Sequence, residues 1–494
     1  MRQAPTRIVI IGGGPGGYEA ALVAAQVGAD VTVVERDGPG GACVLTDCVP
    51  SKTLIATSET MAALGSAADL GVRLGGGRPA DDTRPGGVSS EGARPGGVSS
   101  GGGAALAEPE VDAGRLYGRV KALARRQSAD VEARLAAEGV QVVRGSGRLV
   151  SGADRWTVQA GDRRYGADVV LIAPGAHPRV LPDAVPDGER VLNWRQLYDL
   201  DRLPSQLIVI GSGVTGAEFA SAYQALGSRV TLVSSRDRVL PHEDTDAAVV
   251  VEDVFRRRGM TVLDRSRAAA VKRTGDGVVV TLEDGRTVEG SHCLLTVGMV
   301  PSTSGLGLGE AGVHVDERGF VGVDRVSRTS APGAYAAGDC TGLLMLASVA
   351  AMQGRIAMWH ALGEAVSPIR LSHVAATIFT EPEIATVGVS HEAVNAGRVD
   401  ARVVKLPLAT NPRAKMQGFR DGFIKLFARP GAGIVLGGVV VAPRASELIL
   451  GVSVAVEQQL TVSQLAHTFA VYPSLSGSLT EAARKLMQSA AEIE

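Results

Sequence analysis

Two of the four cysteines in this 494-residue chain, Cys43 and Cys48, stand five positions apart in the run Gly40-Gly41-Ala42-Cys43-Val44-Leu45-Thr46-Asp47-Cys48-Val49-Pro50-Ser51-Lys52. Two thiols this close can cycle between dithiol and disulfide, share a metal, or be neighbours by accident. A metal has the least support, because no His or second Cys pair stands at ligand spacing, so no metal is expected. On an ideal helix a spacing of five puts the two side chains about 140° apart, so a disulfide between them requires an irregular first turn. Closeness to a helix N-terminus would favour thiolate character in either residue.

The second chemical feature is a pair of glycine turns, Gly12-x-Gly14-x-x-Gly17 and Gly211-x-Gly213-x-x-Gly216. In each, the first glycine permits a tight turn, the second lets a pyrophosphate approach the backbone, and the third lets the following helix pack on its strand. Free amides at the helix start then bind the anion. The residue at the end of the next strand distinguishes the two turns. Glu35, twenty-three residues after Gly12, can accept hydrogen bonds from a free adenosine ribose 2′-hydroxyl, which suits FAD. The same offset from Gly211 lands on Ser234, followed by Ser235 and Arg236. A carboxylate there would repel a 2′-phosphate by about 1 to 4 kcal/mol near the surface, whereas Ser-Ser-Arg offers hydroxyl donors and a cation. The second site is therefore expected to prefer or tolerate NADPH over NADH, with Gly298 ending another apolar strand where a nicotinamide nucleotide can pass.

Both turns need a strand before and a helix after them, and the patterning supplies both. RIVIIGGGPGGYEAALVAAQVGADVTVVE reads as strand, turn, helix and strand, and QLIVIGSGVTGAEFASAYQALGSRVTLVSS from Gln206 to Ser235 repeats that order. Leu116 to Glu138 has the spacing of a long amphipathic helix. Residues 73–108 are mostly Gly, Pro, Ala, Ser and Arg and contain RPGGVSS twice, which predicts a disordered insertion made by local duplication. From about residue 366 strands such as GFIKLFA and GIVLGGVVVA alternate with helical stretches, which predicts a separate α+β unit. The expected division is a first nucleotide-binding domain at 1–160, a second at 161–290, a central domain at 291–365 completing the first site, and a last domain at 366–494. A chain of this length exceeds one hydrophobic core. With a net charge of −2, 45% hydrophobic and 21% charged residues, it has no charge excess for nucleic acid or an anionic membrane surface. The start of the chain runs straight into a strand pattern, and no apolar run reaches membrane-spanning length, so a cytoplasmic protein without an integral membrane segment is expected.

With these residues together, the chain resembles the flavoprotein disulfide reductases, the class I pyridine nucleotide-disulfide oxidoreductases that include dihydrolipoamide dehydrogenase and glutathione reductase. It resembles most closely an actinobacterial branch acting as NAD(P)H:quinone reductases. The likeness rests on GGACVLTDCVPSK, Ala336-Ala337-Gly338-Asp339-Cys340, Met345-Leu346-Ala347-Ser348 and Phe379-Thr380-Glu381-Pro382-Glu383, and covers nearly the whole chain apart from 73–108. The resemblance implies an α/β fold of two Rossmann-type domains, for FAD and NAD(P), and a C-terminal α+β dimerisation domain that makes a homodimer. It implies that Cys48 contacts the flavin as the charge-transfer thiol and that Cys43 is the interchange thiol. It implies that Lys52 lies near flavin N5 and pairs with Glu218, that Asp339 binds the ribitol, and that Met345 to Ser348 lie beside the ring. Gly145 and Gly175 join the FAD positions on the same ground. Cys293 and Cys340 are expected to be small core residues.

The chain departs from the disulfide reductases at one place. Those enzymes offer, from the partner subunit, a His-Pro and a Glu five residues later as an acid/base pair; here Tyr472 and Gly477 occupy those positions. Losing a placed general acid/base typically costs about a hundred- to ten-thousand-fold, and a tyrosine with a pKa near 10 does not replace a histidine titrating near neutrality. His467 is expected to be a structural or surface histidine. The expected activity is transfer of reducing equivalents from NADPH or NADH through FAD to a quinone. A dihydrolipoamide dehydrogenase-like disulfide reductase using Cys43 and Cys48, and a low-turnover redox-sensing flavoprotein, are the alternatives.

Overall fold

The computed structural model describes residues 4–72, 109–152 and 154–491, and the insertion expected at 73–108 lies outside them. Strands Arg7–Ile11 and Asp30–Glu35 pair in parallel, Ile8 opposite Val31 and Ile10 opposite Val33, with helix α1 (Pro15–Gln26) between them. A strand covered on both faces needs apolar side chains at nearly every position, so RIVII reads as a run rather than an alternation. The first sheet is all parallel in the order Ala334–Ala336, Val169–Ile172, Arg7–Ile11, Asp30–Glu35, Gln141–Arg144. The strand order reverses beside Arg7–Ile11, and the first glycine turn opens into that crevice, the usual ligand position in such sheets.

The second sheet repeats the plan with Thr261–Leu263, Arg229–Val233, Gln206–Ile210, His292–Leu295 and Val191–Asn193, again all parallel. The two nucleotide units are interleaved along the chain. Val169–Ile172, inside the expected 161–290 segment, and Ala334–Ala336 complete the first sheet, while His292–Leu295, beyond 290, belongs to the second. Short strands that return from another unit carry no local mark of the sheet they will join, so the linear division misplaces Val169–Ile172 and His292–Leu295, while Ala334–Ala336 falls within 291–365, the segment expected to complete the first site.

Besides α1, the helices α2 (Gly41–Leu45), α3 (Cys48–Gly65), α4 (Ala113–Ala137) and α5 (Val214–Ala225) bear on the site, as does a later helix that packs on α1. Helix α4 starts where Asp112 accepts from the Arg115 amide at 2.9 Å, and it buries Leu116, Val120, Val131 and Leu135 on one face. The C-terminal unit is an antiparallel five-stranded sheet in the order Ala376–Ile378, Glu383–Gly388, Val435–Ala442, Phe423–Ala428, Arg402–Pro407, packed against helices Ala445–Glu457 and Gly477–Ala491. One hydrophobic cluster runs from Leu54 of α3 through Tyr117 of α4, Phe219 of α5 and Leu232 to Phe423 and Phe427, so the units share a core. No helix among the described residues is long and apolar enough to cross a membrane.

A buried ion cluster joins the second nucleotide unit to the C-terminal sheet. Lys425, 1% exposed, donates to Asp244 at 2.7 and 2.8 Å and pairs with Asp246 at 2.7 Å, at the start of helix α6 (Thr245–Arg257). Removing one partner of a buried pair leaves an uncompensated charge, a change costing about 3 to 5 kcal/mol. Lys425→Ala is expected to lose stability of that order in urea unfolding followed by tryptophan fluorescence. A change below about 1 kcal/mol would mean the cluster is solvated and does not join the units.

Candidate active site

The cysteine run packs directly onto the first glycine turn. The Gly40 amide donates to the Gly13 carbonyl at 2.8 Å, and a Cβ on Gly41 would stand 2.9 Å from the Gly14 Cα, so a side chain there would push the segment off the turn. The irregular geometry that the spacing requires is a break between two helices. Cys43 lies in the short α2, the backbone turns at Thr46 and Asp47, and Cys48 is the first residue of α3. Both are free thiols. The hydrogen bond between them, aided by burial, pushes the Cys43 thiol far up, and the same bond together with the Lys52 charge draws the Cys48 thiol down. Cys48 is therefore the more acidic thiol of the pair, at a helix N-terminus that favours thiolate character.

One turn along α3, Lys52 Nζ meets Glu218 Oε2 of α5 at 2.8 Å and lies 4.7 Å from the centre of the Phe379 ring. The other oxygen, Glu218 Oε1, accepts the Phe379 amide at 2.9 Å. Glu218 is 4% exposed. The pair expected from the resemblance thus joins three units of the chain.

Asp47 was not singled out by any motif, yet it anchors the break between the cysteines. Its carboxylate accepts from Trp194 Nε1 at 2.8 Å and from Arg195 Nε and Nη2 at 3.2 and 3.1 Å, and Arg195 also donates to the Ala176 carbonyl. Its place inside the cysteine run was the available signal; Trp194 and Arg195 carry none. Asp339 lies within the field of this cluster, its carboxyl pushed up to about 6 by burial and by Asp47 against the pull of Arg195.

The FAD-side positions converge on the first turn. Glu35 is buried, and its carboxylate accepts the Gly13 amide at 2.6 Å and the Asp37 and Gly38 amides at 2.6 and 3.2 Å. Gly145 continues from the neighbouring strand, its amide bonded to the Glu35 carbonyl at 3.0 Å. The Gly12 and Gly17 positions are closed to a Cβ by backbone, whereas a Cβ on Gly14 would meet nothing within 4 Å. Helix α7 (Ala347–Ala361) starts at Leu346 without a side-chain cap, with Ala347 and the exposed Ser348 in its first turn and exposed Met345 just before it. It packs on α1 so closely that a Cβ on Gly16 would stand 3.2 Å from the Ala350 carbonyl oxygen. Gly175 accepts the Ser302 amide at 3.0 Å.

On the second turn Gly211 and Gly216 are closed to a Cβ and Gly213 is open, as in the first. Gly298 is exposed and accepts the Arg179 amide at 2.9 Å. Ser235 and Arg236 are exposed, but Ser234 is not a free donor. It is fully buried, and its hydroxyl is engaged by the Ser212 hydroxyl at 2.7 Å and the Arg236 amide at 3.1 Å. The expectation that Ser234 offers a hydroxyl to a phosphate is corrected on that ground.

Tyr472 lies between helices Val462–Ala466 and Gly477–Ala491, 81% exposed, beside Phe469 at 103% and Val471 at 77%. Gly477 is the first residue of the last helix. His467 is exposed, and its Nδ1 lies 2.7 Å from the Ser463 carbonyl of its own turn. Cys293 and Cys340 are buried in separate cores.

Residues 6–354 match the family model described as pyridine nucleotide-disulphide oxidoreductase, and residues 374–483 match the dimerisation domain of the same family. A curated relative, an NAD(P)H dehydrogenase (quinone) of Mycobacterium tuberculosis, is 56% identical over 98% of this chain and 94% of that protein. A dihydrolipoyl dehydrogenase of Thermus scotoductus is 32% identical over 98% of each. The solved structure of LpdA from Mycobacterium tuberculosis superposes with a TM-score of 0.88 at 55% identity, covering 98% of this chain and 100% of that one. An HOCl-induced flavoprotein disulfide reductase of Escherichia coli, RclA, shares the fold with a TM-score of 0.81 at 23% identity, over 97% and 99% of the two chains.

The raised Asp339 carboxyl makes stability depend on pH. Its folded value of about 6 lies above the unfolded value near 3.9, so the folded state binds the proton more tightly. The group therefore opposes folding above pH 6, and that penalty is relieved as pH falls from 6 toward 4. In the flavin-free protein, Asp339→Asn is expected to raise the melting temperature at pH 7 and to leave it nearly unchanged at pH 4. Equal shifts at both pH values would mean the carboxyl is not perturbed.

Proposed function

This chain belongs to the pyridine nucleotide-disulphide oxidoreductase family, and we propose that within it the chain is an FAD-dependent NAD(P)H:quinone oxidoreductase acting as a homodimer in the cytoplasm. The residues at the first turn fit FAD: the Gly14 position is open where a Cβ would fill the approach, α1 has no side-chain cap on its first amides, and buried Glu35 stands at the end of the second strand. The second turn fits NAD(P)H in the same way, with Gly213 open and α5 uncapped. Bound flavin would supply the exchange of hydride and electrons between nicotinamide and quinone. The chain's own part is to hold Lys52 as a fixed positive charge through Glu218, to bind pyrophosphates on helix amides, and to keep the two sites on rigid elements.

The single observation that carries the choice of acceptor is the exposed Tyr472, with Gly477 five residues on, where a disulfide reductase needs His and Glu. The acid/base pair of a disulfide reductase must take up as well as deliver a proton, and a phenol with a reference pKa near 10 stays protonated at neutral pH and does not serve as the base. A quinone takes electrons from a flavin without that relay. The 56% identical relative named NAD(P)H dehydrogenase (quinone) supports the same choice. The exposure of Phe469, Val471 and Tyr472 within the matched dimerisation domain supports a second copy covering them. Ser235 and Arg236 at the second turn support a preference for NADPH over NADH.

A second assignment, a disulfide reductase, is favoured by one observation: Cys43 and Cys48 are free thiols set on either side of the break between α2 and α3. NADPH oxidation by the FAD-loaded dimer separates the two, with a soluble quinone and oxidised lipoamide compared in the wild type and in Cys48→Ser. Fast quinone reduction that survives Cys48→Ser, with lipoamide slower by about a hundred-fold or more, is the expected outcome. Lipoamide turnover that Cys48→Ser abolishes would overturn the proposal in favour of the disulfide reductase.

A further inference from the structure

The two nucleotide units place their discriminating side chains alike. In the first, Glu35 folds back onto the amide of Gly13; in the second, Ser234 folds back onto the hydroxyl of Ser212. Gly13 and Ser212 are each the second residue of their glycine turn. The exchange removes a carboxylate from the end of strand Arg229–Val233, but the buried Ser234 hydroxyl is then consumed internally. A 2′-phosphate at this edge must find its donors elsewhere.

The neighbouring strand supplies a candidate. Thr261–Leu263 runs parallel to Arg229–Val233, with Val233 opposite Leu263, so both strands end at the same edge. Three backbone hydrogen bonds zip their following loops together: Ser234 N to Leu263 O at 2.8 Å, Ser266 N to Ser234 O at 2.7 Å, and Arg265 N to Arg236 O at 2.7 Å. Arg265 takes a φ of +45°, a left-handed conformation that favours glycine and costs a larger residue about 1 kcal/mol or more. The other arginines here are committed: Arg238 to Asp237 at 3.2 Å, Arg267 to Glu283 at 3.7 Å and Arg286 to Asp284 at 2.6 Å. Arg236 and Arg265 are exposed and have no ion pair among the described residues.

We propose that Arg265 is a second specificity residue, which with Arg236 forms a fork of two guanidinium groups from adjacent loops around the 2′-phosphate of an adenosine 2′,5′-bisphosphate. Planar guanidinium groups suit phosphate oxygens, and each charge-assisted bond adds discrimination against a ligand lacking that phosphate. The zipped loops fix the two backbones relative to one another before ligand arrives, which reduces the ordering cost of binding. Asp237 and Asp264 are the acids on these loops; Asp237 is already paired with Arg238.

This inference rests on the NADPH preference proposed above, and the test separates the two. Isothermal titration of the FAD-loaded dimer with 2′,5′-ADP and with 5′-ADP would be run for the wild type, Arg236→Ala, Arg265→Ala and Arg265→Lys. The wild type is expected to bind 2′,5′-ADP more tightly. Arg265→Ala is expected to weaken that ligand by roughly ten-fold or more while changing 5′-ADP by less than about two-fold, and Arg265→Lys to restore part of the loss. If Arg236→Ala lowers 2′,5′-ADP affinity and Arg265→Ala does not, the fork is overturned and the NADPH preference stands. Equal weakening of both ligands by Arg265→Ala would also overturn it, since the residue would then be holding the loop. If the wild type binds both ligands alike, the NADPH preference itself fails and the fork with it.

Discussion

The ion pair between Lys52 and Glu218 is the contact on which the arrangement of the site depends. It crosses from α3 of the first nucleotide unit to α5 of the second, and the remaining oxygen of Glu218 takes the Phe379 amide of the C-terminal unit. A carboxylate this buried carries a large desolvation cost and is stable only when its oxygens are satisfied. Both are, by groups from different units, so the charge is satisfied only when all three are docked. The Glu381 amide, donating to Ser221 of α5 at 3.2 Å, and the Arg258 to Glu381 pair extend the same joint. Positional precision at Lys52 is therefore a property of the whole docked chain.

The cysteine segment is set by a related constraint. A continuous helix would separate Cys43 from Cys48, and the chain avoids this by ending α2 and restarting at α3. The break is held from outside itself, by Trp194 and Arg195 grasping the Asp47 carboxylate. The bond between the thiols is the main cause of their opposite shifts, with Lys52 adding to the lowering of Cys48 and Asp47 opposing it. Lys52 and Asp47, the charges flanking the pair, are each tied to the second nucleotide unit.

The two glycine turns show how one backbone plan is differentiated by one side chain. Strand, turn, helix and strand are laid out alike in both, with the first and third glycines closed by backbone and the middle one open. The difference lies in the residue that folds back on the turn, a carboxylate in one and a hydroxyl in the other.

Much of this was legible in the sequence because it is local. Apolar runs beside glycine turns identify buried parallel strands and the helices after them, and the long amphipathic spacing identifies α4, since periodicity reports burial directly. The cysteine spacing shows that a disulfide between the two would need an irregular turn. The pairing of Lys52 with Glu218 came only through family likeness, because residues so far apart in the chain share no local pattern. Tertiary structure alone decided that Asp47 is gripped by Trp194 and Arg195, that Ser234 is consumed inside its own loop, that Arg265 stands beside Arg236, and that the strand at 169–172 returns to the first sheet. Each depends on which distant segment arrives at a given edge, and that is set by sheet order and shared core packing.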